Sequence, residues 1–232
     1  MLLARGGSSF KDKNLKEICG HSLIYWVIKA VKESGIFDEI VVNSDSETII
    51  AEARRYGART YEYTRPPELA TEQSKVKEAI ADMIYFLEIC DKRWDYMFLC
   101  TPPTPLMTGE DIFLAASSML DLKMPMVVSV TPTKSPYIGK IVSGLLLEDF
   151  GKHWNETRQD LADERPYYLN AAIYIGEWRI FKNKENYYPA AAFVMPRERS
   201  VDIDTPAELE LAQILLKERL DSAQSKSLPE NI

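Results

Sequence analysis

Apolar residues along this chain alternate between helical and extended spacing. Leu23, Ile24, Val27, Ile28 and Val31 recur at three- and four-residue intervals, which predicts a helix, and Gly35 stands where its left-handed end would fall. Glu39–Val42 reads as a short strand, and Ser44-Asp45-Ser46-Glu47 reads as a capping box opening a second helix. Val76, Ile80, Met83, Ile84 and Leu87 mark a third helix, Tyr96–Cys100 a buried strand, Glu110–Leu120 a helix and Met126–Val130 another strand. Strand follows helix so regularly that a mostly parallel sheet covered by helices is expected.

The rhythm fails between positions 131 and 169. Pro132 and Pro136 interrupt it, a short apolar stretch covers Gly144–Leu147, and Gly151–Arg165 is polar. Strands resume at Ala171–Ile175 and Ala192–Met195. Thr205, Pro206 and Glu208 then form an N-cap, first-turn proline and capping box for a last helix. A frayed polar tail is expected from Asp221. The division is therefore one domain over 1–220, with an irregular insertion at 131–169 and a tail at 221–232. The opening strand is short, and more strand is expected upstream of Met1.

Composition narrows the classes. With 232 residues and 46% apolar content, the chain can bury one large α/β core. It has no apolar run of the roughly 18 residues that a membrane span needs, and MLLARGGSS turns polar too soon for a signal peptide. The net charge of −7 argues against general nucleic-acid binding while leaving room for a local cationic cluster. Three scattered cysteines, Cys19, Cys90 and Cys100, give neither a zinc spacing nor a disulfide framework, so a reducing cytoplasm is expected. With only His21 and His153 present, chemistry built on several histidines is not expected.

Three segments at strand ends carry candidate chemistry. The first runs from Ala4 through Arg5, Gly6, Gly7 and Ser8 to Lys13 and Asn14. Its glycines allow close backbone approach and its cations suit a polyphosphate, although an ordinary turn with solvated lysines has the same composition. The second is Asp202-Ile203-Asp204, whose acids share one side of an extended segment and suit Mg²⁺, or else merely start the following helix. The third is Thr101-Pro102-Pro103-Thr104-Pro105-Leu106, stiffened by three prolines into either a base-recognition wall or a connector. Their order, each after a strand, points to metal-assisted nucleotidyl transfer.

The same residues resemble the acylneuraminate cytidylyltransferases, or CMP-sialic acid synthetases, and their relatives for pseudaminic and legionaminic acids. ARGGSSFKDKN stands for the family's ARGGSKGIPRKN, and Arg65–Ala70 for its RPxxLA. Thr101–Met107 stands for QPTSPLR, Asn170–Ile175 for NGAIYI and Asp202–Thr205 for DIDT. The likeness runs from Met1 to about Leu220 and implies a three-layer α/β/α Rossmann-like nucleotidyltransferase fold with an inserted dimerisation arm, hence a homodimer.

It also implies roles. Arg5 and Lys13 would grip the triphosphate of CTP, with Lys13 offsetting charge on the leaving pyrophosphate. Ala4, Gly6, Gly7, Ser8, Asn14, Arg65 and Thr101 would border the nucleotide. Asp202 and Asp204 would hold Mg²⁺, while Arg158, Gln159 and Asn170 would contact the sialic-type sugar acid. The sequence departs from the pattern in several places. The opening loop is one residue shorter, with Ser9 for a lysine. Thr101 replaces glutamine and Met107 arginine. Ala171 replaces a glycine, which would narrow the pocket, and Val76 stands where relatives have serine. Thr101 keeps a different nucleotide, such as GTP, or a sugar phosphate acceptor open as alternatives, as is an inactive nucleotide-binding module.

Overall fold

In the computed structural model, residues 1–7, 10–132, 140–142, 145–147, 167–187 and 189–227 are described, residues 140–142 and 145–147 by their backbone alone. Among the described residues ten strands follow in order: β1 Leu2–Leu3, β2 Glu17–Ile18, β3 His21–Ser22, β4 Val42–Asn43, β5 Tyr96–Leu99, β6 Met126–Pro132, β7 Lys140–Val142, β8 Leu145–Leu147, β9 Tyr167–Glu177 and β10 Ala191–Val194. The α-helices are α1 Leu23–Ser34, α2 Glu47–Arg55, α3 Val76–Ile89, α4 Gly109–Asp121, α5 Trp178–Lys182 and α6 Pro206–Ser227.

The central sheet runs β4-β1-β5-β9-β6-β10. Strand β1 pairs parallel with β4 and bridges β5 through Leu2 and Cys100, and β10 pairs parallel with β6. Strand β9 alone runs against its neighbours β5 and β6. The expected mostly parallel sheet is present, with this one reversed strand inside it.

Alternation along the strands builds the three layers. Leu2, Ala4, Phe98, Cys100 and Val127 face a core made with α1, α2 and α4. Leu3, Met97, Leu99, Met126 and Val128 face the opposite core, made with α3 and α5. A third cluster seats α6: Ala212 and Leu216 pack with Ile18, Leu23, Trp26, Leu106 and Ile203, nearly all fully buried. α1 starts on Ser22, whose hydroxyl accepts from Tyr25 N–H, and ends at Gly35 with φ 68°, as its sequence predicts.

Several expectations need correction. The Glu39–Val42 strand is displaced to Val42–Asn43, while Val41 only bridges Arg59. The Ser44–Glu47 capping box does not form: Ser46 is the N-cap of α2, its hydroxyl pairs with Thr48 Oγ1 instead of capping, and Ser44 Oγ accepts from Ser46 N–H. The tail does not fray at Asp221, since α6 runs on to Ser227. Within the irregular insertion, β6 extends to Pro132, β7 and β8 form a hairpin, and β9 begins at Tyr167. The remainder of that arm lies outside the described residues, as do Ser8, Arg158 and Gln159.

Candidate active site

The glycine loop leaves β1 between β4 and the segment after it, and its backbone is tied down on three sides. Ala4 N–H donates to the Asn43 carbonyl at 3.1 Å. The Arg65 guanidinium donates through Nη2 to the Ala4 carbonyl at 3.4 Å and the Asn43 carbonyl at 2.6 Å, and through Nε to Asn43 Oδ1 at 2.6 Å. Asn14 Nδ2 donates to the Arg5 carbonyl at 2.9 Å. Gly6 N–H donates to Asp45 Oδ1 at 2.8 Å. Arg65 is 4% exposed and sits beneath the loop as a brace rather than lining a pocket, and burial pulls its pKa down against the opposing charge of Asp45. Ala4 and Asn14 are buried supports. Gly6 turns its N–H into the protein; Gly7 has open space where a Cβ would stand.

The Asp202–Asp204 segment is placed by contacts from distant elements. Ile203, fully buried, docks in the third core cluster, and its N–H donates to the Pro103 carbonyl at 2.9 Å. Just upstream, Arg199 makes a two-toothed ion pair with the buried Asp111 of α4, at 2.8 Å and 2.7 Å. Asp111 also completes the capping box of α4 with Thr108. The proline loop is therefore a prop for the acids. Arg219 of α6 also donates to its Leu106 carbonyl, at 2.6 Å. Thr101 is half-exposed, and its carbonyl accepts from Thr104 N–H and Oγ1–H.

These supports bring the two ends of the chain together. Lys13 Nζ lies 2.8 Å from Asp204 Oδ1 across 191 positions. The Lys13 side chain is 9% exposed and that of Asp204 65%, so the pair sits at a boundary with solvent. Burial, and after it the Asp204 charge, push the Asp202 carboxyl above its ordinary value, while Lys13 pulls it down. A half-buried acid made less acidic by a neighbouring acid gains from a divalent cation, so the pair fits Mg²⁺, which takes one or two carboxylates alongside substrate phosphates. Among the described residues no cluster of three or more acids, histidines or cysteines is built for a metal.

Beside the acids a cleft of about 650 Å³ opens, lined in part by Tyr168, Asn170, Arg197, Ser200, Asp202 and Asp204. Asn170 is 2% exposed, and its amide is committed inside the protein: Nδ2 donates to Ser200 Oγ at 2.8 Å, and Oδ1 accepts from Ser129 Oγ at 2.5 Å. It builds the cleft floor and has little polar capacity left for a sugar. Ala171 follows at φ 59°, opposite the register shift between Val128 and Val130. Ala171 is thus a left-handed bulge residue, a conformation that glycine adopts more readily than alanine. A separate cavity of about 440 Å³ lies at the amino ends of β4 and β5, lined by Met1, Phe37, Trp94 and Trp178 among others, and contains none of the candidate residues.

The family model described as cytidylyltransferase matches residues 1–133, more than half of the chain and the whole glycine loop. The chain belongs to the cytidylyltransferase family. Relatives extend the match to the C-terminal acids. This cytidylyltransferase is 28% identical to pseudaminic acid cytidylyltransferase of Campylobacter jejuni over 228 residues, covering 95% of this chain and 96% of that one. It is 32% identical to CMP-N,N'-diacetyllegionaminic acid synthase of Legionella pneumophila over 225 residues, covering 92% and 94%. A solved structure of CMP:2-keto-3-deoxy-manno-octonic acid synthetase complexed with CTP shares the fold, with a TM-score of 0.65 at 15% identity over 94% of this chain and 97% of that one.

Two residues beside the candidate site stand outside the expectations from sequence. Arg197, an exposed cation on the cleft beside the acids, lies outside every quoted motif, though its place five residues before Asp202 is a usable signal. Asp45 was read as part of a helix cap, and only the fold reveals its contact with Gly6.

Proposed function

We propose that this cytidylyltransferase transfers CMP from CTP to the anomeric hydroxyl of a nonulosonic, sialic-type acid and releases pyrophosphate. The observation that carries this reading is the 2.8 Å contact between Lys13 and Asp204, which joins the cationic loop to the acidic pair in one site. The names of the relatives for pseudaminic and legionaminic acids support the acceptor class.

The sugar hydroxyl attacks the α-phosphorus in line with the departing pyrophosphate. The protein positions both reactants and supplies fixed charge. Arg5 and Lys13 hold the triphosphate, and Lys13 offsets charge accumulating on the leaving group. Asp202 and Asp204 would hold Mg²⁺, which supplies charge neutralisation at phosphate oxygens. Arg197 gives the cleft a planar cation suited to the acceptor carboxylate.

Incubation with CTP, Mg²⁺ and a panel of sialic, legionaminic and pseudaminic acids should release pyrophosphate with at least one of them. Asp204→Ala should slow that release by about 100-fold or more. Unchanged turnover in that variant would refute the site. Thr101 in place of a glutamine motivates a second reading with another nucleotide, and melting shifts across CTP, GTP, UTP and ATP decide between them. A ligand at about 100 times its Kd adds roughly 2.7 kcal/mol.

A homodimer is part of the proposal, supported by the exposed run Tyr167–Leu169 where β9 leaves the arm. So is a cytoplasmic location, supported by three free cysteines. No helix among the described residues is long and apolar enough to cross a membrane.

A further inference from the structure

Asp45 places a carboxylate against the loop that is read as the grip for a polyanion. Its Oδ1 accepts from Gly6 N–H at 2.8 Å, across 39 positions. A bare acid there would repel a triphosphate. Asp45 is not bare, however, since its Oδ1 carries the Gly6 N–H, on a loop whose Ala4 carbonyl is held by the buried Arg65 guanidinium. The approach is also tight. A Cβ on Gly6 would come within 3.2 Å of Ser46 Cβ and 3.4 Å of Asp45 Oδ2, so glycine is what lets the loop reach this acid. With Asn14 on the Arg5 carbonyl, three consecutive residues of the loop each have a main-chain polar group tied to a different distant side chain.

We infer that Asp45 is a positioning residue for nucleotide binding. It draws the Gly6 N–H into the protein and so selects one conformation of the loop at Ala4–Gly6, leaving the Arg5 side chain and the Gly7 main chain for the triphosphate. The inference rests on the nucleotide-binding reading of this loop. Negative charge at Asp45 serves the grip on an anion indirectly, by ordering the donors around it.

The test uses the full chain with Asp45→Ala and Asp45→Asn. Asparagine keeps an acceptor oxygen; alanine does not. In Asp45→Ala the KM for CTP should rise about tenfold, with kcat and the KM for the sugar acid within about twofold, as loss of one charge-assisted hydrogen bond predicts. Asp45→Asn should recover to within about threefold of the parent. Hydrogen exchange at the Gly6 amide, measured without nucleotide, should accelerate about tenfold in Asp45→Ala and much less in Asp45→Asn. Unchanged Gly6 exchange in Asp45→Ala, an unchanged KM for CTP, or a fall in that KM overturns the inference, the last by showing that Asp45 competes with phosphate. If the parent turns over no sugar acid with CTP, the functional reading fails, and Gly6 exchange still judges the hydrogen bond by itself.

Discussion

Replacing Lys13 with methionine should separate catalysis from stability. Lys13 occupies a short 3-10 turn, Lys13–Leu15, and its side chain is 9% exposed. Methionine has a similar stem, so packing around the stem survives. The ion pair that disappears ends on Asp204, which is 65% exposed and can be rehydrated where it stands. Pairs with such an open partner contribute about 0–1 kcal/mol, which for a chain of this size lowers Tm by no more than about 4 °C. The catalytic loss is larger. A preorganised charge facing developing negative charge is worth about 2.7–4 kcal/mol, so pyrophosphate release at saturating substrates should slow by 10²–10³-fold. Asp204→Ala should show the opposite weighting in stability. It leaves the Lys13 ammonium nearly buried without its partner, at a cost of roughly 1–3 kcal/mol, while also removing a metal carboxylate. The assays are pyrophosphate release and thermal denaturation of parent, Lys13→Met and Asp204→Ala. Turnover by Lys13→Met within threefold of the parent, or equal stability losses in the two variants, would refute the reasoning.

Gly109→Ala should destabilise by about 1–3 kcal/mol in a denaturant titration, because its Cβ would fall 2.6 Å from the Glu33 carbonyl carbon and 2.7 Å from Ser34 N, both main-chain atoms of α1. Ala171→Gly should raise stability by about 0.5–1 kcal/mol with unchanged turnover, since the bulge holds this residue at φ 59°; a lower Tm would contradict the bulge geometry. Arg197→Ala should raise the KM for the sugar acid about tenfold or more and leave the KM for CTP unchanged, as loss of a charged contact to the acceptor alone requires.

The framework was legible because the sheet is covered on both faces. Phe98 and Val127 serve one core and Met97 and Val128 the other, so strands five and six read as apolar runs between turn signals. The misplaced start of α2 traces to competition among neighbouring hydroxyls. The Ser44–Glu47 box satisfies the rule for a helix start, yet Ser44 Oγ accepts from Ser46 N–H and Ser46 Oγ pairs with Thr48 Oγ1. The end of α6 was missed for a different reason. Beyond Leu220 the helix has few apolar residues and nothing in the core to mark it, but Thr205 and Glu208 cap its start and the Ala, Gln and Lys that follow propagate it. In the site, the charge of Arg65 was legible and its burial was not. A guanidinium four residues past Tyr61 gives no sign that it will turn under β1 to bond the Ala4 and Asn43 carbonyls.

Polar residues around this site divide by where their side chains end. Arg65, Asn14, Asn170 and Asp111 are buried, and each uses its donors or acceptors to hold a neighbouring segment: Ala4, Arg5, Ser200 and Arg199 respectively. Asp204 and Arg197 end in solvent, with Lys13 reaching the same boundary from inside. The first group must be fully bonded, because an unmet polar group in the interior costs about 1–3 kcal/mol. The second must stay partly unmet, because its unmet charge is what a triphosphate, a cation or a carboxylate would satisfy. A chain of net charge −7 can thus hold a polyanion at one point on its surface. The cations proposed to face the ligand are few, and buried side chains hold the backbone near them, as Asn14 does at the Arg5 carbonyl and Asp111 does at Arg199.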